Sequence, residues 1–506
     1  MSHPQIAQIF TDSKSEGQSL KIICVNLCNL WIHQKRSFRR DAETRRDTRA
    51  LPQPFCYKCG MKICSLSILC LIFSASAFAQ QPSLENIAAS ELPSLLAIYK
   101  DIHSHPELSG HEEQTSALIA KELRAAGCEV TDHFGKYDNP AMKGYGVVGL
   151  MKNGEGPTVL VRTDMDALPV EEETGLPYAS KVVTKNDEGK EVHVAHACGH
   201  DAHMAVFIGT VRVLQRLRDQ WQGTIMFVGQ PAEETGNGAR ALLKAGLYTR
   251  FGKPNFALGY HDNAFLETGK IGVTGGYTYA NVDSVNITVR GVGGHGAYPH
   301  KTKDPIVLSA EIIMALQTIA SRENNPIDPI VVTVGSIQGG TKHNIIPDEV
   351  KMQLTVRTYK SDVRDRVLAA IDRITKGCAV AAGIPPERAP TVDLLKDQFT
   401  PATYNNPDLT KRLVAVWKKQ LGANNVEATD PTMGGEDFSE YSLPDHSIPA
   451  CDFWIGAVDP AKIADSKKDG TPLPSLHSSK FAPVPEPTIR VGIIGMTSAV
   501  LELMKK

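Results

Sequence analysis

Between residues 91 and 126 apolar side chains recur at helical spacing, with a stripe through Leu118, Ile119 and Leu123, and Gly127 supplies the stop after a last turn. Residues 146–150 and 158–161 are short apolar runs suited to buried strands. Helical spacing returns over 201–218, through Val206, Val211, Leu214 and Leu217. A strand at 224–228, a helix at 239–245 and a strand at 256–260 follow. This alternation of strand and helix is the α/β pattern. From about residue 281 the rhythm changes. Val285, Ile287 and Val289 alternate with polar residues as in a half-exposed strand, and the Gly-rich segment GVGGHGAYPH follows. A helix over 305–320, strands near 330–337 and 350–358, a helix over 363–382 and a strand near 391–395 complete a β-α-β-β-α-β order, the split βαβ or ferredoxin-like unit. The α/β style resumes after residue 398 and ends in a helix over 491–504. The economical reading is a smaller domain, 281–397, inserted into a larger one made of 81–280 and 398–506.

The chain has 506 residues, more than one domain usually holds. Its 42% hydrophobic and 22% charged content excludes a collagen, a disulfide miniprotein and a wholly disordered chain. A net charge of -2 provides no basic field to recruit nucleic acid. The charge is unevenly spread: residues 1–60 hold 10 basic and 5 acidic side chains, whereas residues 80–506 hold 43 basic and 51 acidic, a net of -8. The segment between them begins at Met61 and reads MKICSLSILCLIFSASAFA. Its single Lys62, apolar run over 66–73 and small-x-small ending at Ala77-Phe78-Ala79 are the parts of a secretory signal peptide. Cleavage near Ala79 would export the protein to the periplasm or the medium. The run is short against the ~20 residues of a membrane span, so no stable anchor is expected. Residues 1–60, basic and without sustained periodicity, read as a leader created by a misplaced start, the native chain beginning at Met61; a long targeting presequence is the rival reading. Residues 1–79 are expected to lack stable packing against the body. Six of the ten cysteines precede residue 80, leaving Cys128, Cys198, Cys378 and Cys451, too few for a disulfide scaffold.

Several chemical motifs fail. Gly144-Tyr-Gly146-Val-Val-Gly149 fits G-x-G-x-x-G, but no helix follows to present its N-terminus to phosphate. No G-x-S-x-G exists, and His111-Glu112 lacks the second His of H-E-x-x-H. What remains is a set of metal ligands. His196-Ala-Cys198-Gly-His200-Asp201-Ala-His203 packs three His, one Cys and one Asp into eight residues at a helix start. So many ionisable groups in an apolar neighbourhood need a cation or mutual pairing. Glu233 and Glu234, in QPAEE, follow a predicted strand, where one carboxylate can bind metal while the other takes protons from water. Taken alone, a pair of loop Glu is more often solvated surface. His261 in GYH, and Asp164 and Asp166 in RTDMDALP, also stand at strand ends.

RTDMDALP, HACGHDAH, QPAEE, GYH, GVGGHGAYPH, HNIIPD, MGGEDF and LHSS occur in this order across residues 96–504, and with them the chain resembles the binuclear metallopeptidase/aminoacylase family. It is most similar to the branch of hippurate hydrolase, N-acyl-amino-acid amidohydrolases and auxin-conjugate hydrolases. The resemblance implies a catalytic α/β domain with a mixed central sheet, and an inserted ferredoxin-like unit that serves as lid and homodimer contact. It implies two divalent ions (manganese, zinc, cobalt or nickel) held by Cys198, His200, Glu234, His261 and His477. Glu233 would be the general base, acting on metal-activated water, and Asp164 an orienting residue behind the ligands. His295 would polarise the scissile carbonyl, often across the dimer, and Asn344 and Arg357 would hold the substrate carboxylate. The implied substrate is an N-acyl amino acid. A dipeptide or carboxypeptidase substrate is the alternative within the family, and a non-catalytic metal-binding relative is the competing class. Where the branch usually has Pro, three residues after His261, this chain has Ala264, which puts the acyl pocket wall in question. Cys198 is an unusual ligand for an exported enzyme, and its metal-free thiolate is expected to oxidise readily.

Overall fold

The computed structural model describes residues 83–140 and 142–506, so the expectations for the leader (1–60) and the signal segment (61–79) lie outside the described residues. The larger sheet begins with β1 (Glu129–Phe134), β2 (Gly146–Asn153), β3 (Thr158–Asp164), β4 (Gly223–Gln230), β5 (Phe256–Glu267) and β6 (Ile271–Val273). The chain then builds a second sheet from β7 (Asn281–Arg290), β8 (Val331–Gly339), β9 (Glu349–Thr358) and β10 (Thr391–Leu394). It returns to the first with β11 (Val426–Ala428) and β12 (Ala450–Val458). Across the larger sheet the order is β1-β2-β4-β3-β5-β12-β6-β11. β4, β3, β5 and β12 are parallel neighbours, whereas β1, β2 and β6 join antiparallel. The sheet is therefore mixed, and its parallel strands are apolar nearly throughout because both faces are covered.

The helices are α1 (Leu84–Ser104), α2 (Glu113–Ala125), α3 (His200–Arg216), α4 (Gly238–Lys244), α5 (Pro305–Thr318), α6 (Ser361–Ala381), α7 (Pro407–Leu421) and α8 (Pro485–Met504). The single helix expected over 91–126 is two. Pro106 disfavours helical geometry in the residue before it, and Gly110 takes φ +80°, so the chain turns between α1 and α2. α3, where helical spacing was read over 201–218, packs against α1 and α8 and is buried on almost every side.

The second sheet, β8-β9-β7-β10, is antiparallel, and with α5 and α6 it encloses its own core through Val285, Ile287, Leu308, Ile312, Met352 and Ile371. This is the smaller inserted domain. The two segments that cross to it are paired: Val282 N donates to Thr400 O (2.8 Å) and Thr400 N to Val282 O (3.1 Å). α5 leaves Ile306, Val307 and Met314 exposed, and the edge strand β8 leaves Ile337 exposed.

Candidate active site

The parallel strands aim their C-terminal ends at one place. β3 ends in Asp164, β4 ends in Gln230 with Pro231 and Ala232 leading to Glu233 and Glu234, and β5 carries His261. Cys198 and His200 flank the start of α3. Gly199 between them has φ +77°, and a Cβ there would lie 2.2 Å from Asp262 Oδ2, so glycine is required on two counts.

Cys198 Sγ lies 3.4 Å from His261 Nε2 and 3.2 Å from His477 Nε2. Glu234 reaches His477 Nε2 at 3.4 Å and His200 Nε2 at 3.8 Å. His200 Nδ1 donates to Asp166 O (2.8 Å) and His261 Nδ1 to Asp262 O (2.7 Å), since a carbonyl can only accept. Both imidazoles therefore keep a proton on Nδ1 and turn Nε2 into the cluster, the orientation a metal needs. His200 Nε2 and Glu234 Oε1 are buried without a hydrogen-bond partner. A thiol, three imidazoles and a carboxylate that converge with orphaned acceptors fit divalent transition metals. The five ligand positions that the resemblance implies are thus brought together. His477 has φ +67°, and its N–H is held by Ala197 O at 2.8 Å.

The loop that carries the paired glutamates is gripped from outside. Glu112 Oε1 accepts from Ala232 N (2.8 Å), and Asp166 accepts from Glu233 N (3.1 Å) and Glu234 N (3.0 Å). Two carboxylates so satisfy three successive amides and hold Ala232 at φ +56°. Sequence reasoning set Glu112 aside for want of an H-E-x-x-H motif and gave Asp166 no separate role. Asp164 bonds His203 Nδ1 and Arg162 (2.8 Å each), with His200 Nε2 at 3.7 Å. Arg162, wholly buried, also binds Glu436 (2.8 Å) and Gln230 (3.0 Å). Neither Arg162 nor Glu436 had been singled out, and His203 had been named only as one member of the His196–His203 cluster. His203 and Glu436 lie within the motifs that carry the resemblance, and Arg162 opens one of them.

Burial, followed by the carboxylates of Glu436 and Glu234, pushes Glu233 well above the usual carboxyl range. Burial likewise raises Glu234 to about 7 and Glu112 to about 8. The Cys198 thiol is also driven well up, by burial and then by Glu234. Without a cation this thiol is therefore protonated, contrary to the readily oxidised thiolate expected above. For Asp164, burial acts upward, but His200, His203 and Arg162 hold it well below its usual value.

A cavity of about 680 Å³ opens beside the cluster, lined by Cys198, Glu233, Glu234, His261 and His477 from the larger domain and by Ser284 and Arg357 from the smaller. Arg357 Nε donates to Thr355 Oγ1 (3.0 Å), and among the described residues its guanidinium has no carboxylate partner. His295 and Asn344 are not on this wall. They share a short ribbon of the smaller domain, where Gly296 N donates to Asn344 O (2.9 Å) and His295 pairs with Ile345. Ala264 is buried against Ala457 and Phe481, with Leu476 of the cavity wall packed on them.

The profile of Peptidase family M20/M25/M40 matches residues 160–476. Thermostable carboxypeptidase 1 of Saccharolobus solfataricus is 34% identical over 415 residues, 81% of this chain and 96% of that one. N-acetylcysteine deacetylase of Bacillus subtilis is 35% identical over 363 residues, 72% of this chain and 88% of that one. Among solved structures, a dinuclear metal-binding M20 peptidase of Bacillus subtilis superposes with a TM-score of 0.63 at 28% identity, covering 82% of this chain and 99% of that one.

Proposed function

The chain belongs to peptidase family M20/M25/M40 and is a metal-dependent hydrolase of amide bonds, and from that premise we propose that it releases a free amino acid from an N-acyl amino acid. The observation that carries this reading is Arg357, a half-buried guanidinium with no ion pair among the described residues, in the wall that also holds Glu233. Such a group selects a substrate with a carboxylate next to the scissile amide. The deacetylase named above acts, by its name, on an N-acylated amino acid. The carboxypeptidase favours a second reading, release of a C-terminal residue, which Arg357 would serve equally.

Cys198, His200, Glu234, His261 and His477 would hold two divalent cations, which supply Lewis acidity to water and carbonyl. Glu233, free of a ligand role, takes a proton from the attacking water and returns it to the departing nitrogen. Its raised affinity for protons suits that shuttle. Asp166 and Glu112 fix its loop, and Asp164 holds His203 behind the ligands. His295 and Asn344 would reach the cavity of a second copy, the former as a hydrogen-bond donor to the carbonyl oxygen and the latter on the substrate carboxylate. Their place off the cavity wall and the exposed apolar face of α5 and β8 support this homodimer. The segment from Met61 to Ala79 supports export with cleavage near Ala79.

A panel of N-acyl amino acids, their carboxamides and dipeptides, assayed with manganese, zinc, cobalt and nickel, tests the reading. The acid should exceed its carboxamide by about 10–150-fold in kcat/KM, the 1.5–3 kcal/mol of a charged hydrogen bond, and Arg357→Ala should erase the difference. Equal turnover of acid and carboxamide would reject it.

A further inference from the structure

The two segments that join the domains have a cavity on each side. Gln398 and Thr400 face the catalytic cavity, whereas the alternate residues Phe399 and Pro401 line a second one of about 650 Å³. This volume is within the range of small-molecule sites. Both domains grip the linker here. From the larger domain, Arg240 donates to the carbonyls of Asp397 (3.1 Å) and Phe399 and pairs with Glu440 at 2.9 Å. From the smaller domain, Arg364 covers the Phe399 ring, 4.2 Å from its centroid, and forms a double hydrogen bond to Asp283 (2.7 and 2.8 Å).

Two further features mark this cavity as a ligand site. Left-handed backbone at a non-glycine residue is strained and clusters at functional sites. His477 shows it on the catalytic wall and Ala232 just behind Glu233. Leu443 (φ +65°) and His446 (φ +50°) show it on the wall of the second cavity, and His133, on neither, is the remaining case among the described residues. The other feature is charge. Arg240, Glu440 and Arg364 are satisfied by the contacts above, but Lys396 and Asp397, exposed at the wall, make no ion pair among the described residues. Tyr277, Tyr359 and Phe399 supply aromatic walls.

We propose that this second cavity binds a free amino acid with an aromatic side chain, its carboxylate on Lys396, its ammonium on Asp397 and its ring among Tyr277, Tyr359 and Phe399. Because Phe399 and Thr400 are consecutive, an occupant presses on the strip of backbone whose other face lines the catalytic cavity. Occupancy therefore changes turnover, by biasing how the smaller domain is set. The ligand class follows from the cavity's own chemistry; that the ligand would also be a reaction product rests on the proposed function.

L-Phenylalanine, titrated by calorimetry into the full metal-loaded enzyme, is the probe. Lys396→Ala and Asp397→Ala, both at exposed positions, should each weaken its binding by about 10-fold or more, as loss of a charge-assisted contact requires. Arg357→Ala should leave the same binding in place. 3-Phenylpropionate and phenethylamine, each lacking one charge, should bind as weakly as those variants bind the probe. At saturating N-acyl substrate, L-phenylalanine should still change kcat in the wild type and not in Lys396→Ala. No binding by the wild type, or binding that survives in either Lys396→Ala or Asp397→Ala, would overturn the site. Purely competitive inhibition would overturn the coupling. A protein that hydrolyses no N-acyl amino acid would refute the proposed substrate, leaving the calorimetry to decide the site.

Discussion

Glu233 and Glu234 are adjacent in the chain, and their neighbours assign them different work. Both lie near His200 Nε2 (3.9 and 3.8 Å), but only Glu234 also faces Cys198 and His477 across distances that a cation would bridge, whereas Glu233 is pressed on by Glu436 and Asp437. Glu233→Gln should keep both metals, read by elemental analysis, while kcat falls by about 100–10,000-fold, the effect of a lost general base. Glu234→Gln should lose metal as well. Behind them, Glu112→Ala strands the amides of Gly110 and Ala232, at about 1–3 kcal/mol for each buried group. It should lower kcat and metal affinity together, and Glu112→Gln, which retains an acceptor oxygen, should restore much of both. Cys198 gives a prediction of opposite sense to the one its residue type invites. Its metal-free thiol is buried and held protonated, and thiols in that state are inert. After chelation in air, adding metal back should recover equal activity with and without reductant; recovery that depends on reductant would show the thiol to be accessible.

At the level of elements, α1 is pinned to the start of α3 by His103. Burial lowers the proton affinity of this imidazole, but Asp201 at 2.6 Å and Glu172 at 3.0 Å outweigh it and raise its pKa to about 10. The folded value exceeds the ordinary value near 6.5, so the stabilisation is complete below about pH 6.5 and is lost as pH rises toward 10. Denaturant unfolding should accordingly show His103→Gln well below the wild type at pH 6, by about 3–5 kcal/mol for a broken buried pair, with the gap narrowing as the pH is raised to 10. The same elements show what could be read in advance. Period-2 alternation at Val285, Ile287 and Val289 and the order of elements over 281–397 anticipated the second sheet, because a half-exposed antiparallel sheet writes its facing into its sequence. The motif residues Cys198, His200, Glu233, Glu234 and His261 were legible because each stands beside an apolar strand or helix start, whereas His477, in the loop before α8, was reached only through the resemblance. Glu112 and Arg162 were not, since their partners Ala232 and Glu436 are 120 and 274 residues away and no local pattern announces a buried carboxylate that binds backbone. The break between α1 and α2 was missed because helical spacing on either side was carried through the polar stretch around Pro106.

For the whole molecule, the separation of His295 from the catalytic cavity makes a prediction about mixed subunits. His295→Ala and Glu233→Gln dimers should each be nearly inactive, the first by about 3–4 kcal/mol if the imidazole acts as an oxyanion donor. Coexpressed heterodimers would hold one cavity with an intact Glu233 served by the other chain's His295, and should recover activity. Verified heterodimers as inactive as their parents would place His295 within its own subunit or outside the reaction.

The position of β12 in the larger sheet has a consequence for synthesis. It lies between β5 and β6, so β5 must wait for a neighbour that begins about 180 residues later. At about 5–20 residues per second, the ribosome leaves that edge of β5 without its partner for about 10–40 s. The inserted domain is made in the interval and needs only its own strands, so it completes first while the half-built catalytic sheet carries an open apolar edge. A chain halted before residue 450 should present a native-like smaller domain to hydrogen exchange and an adhesive remainder that a chaperone must cover.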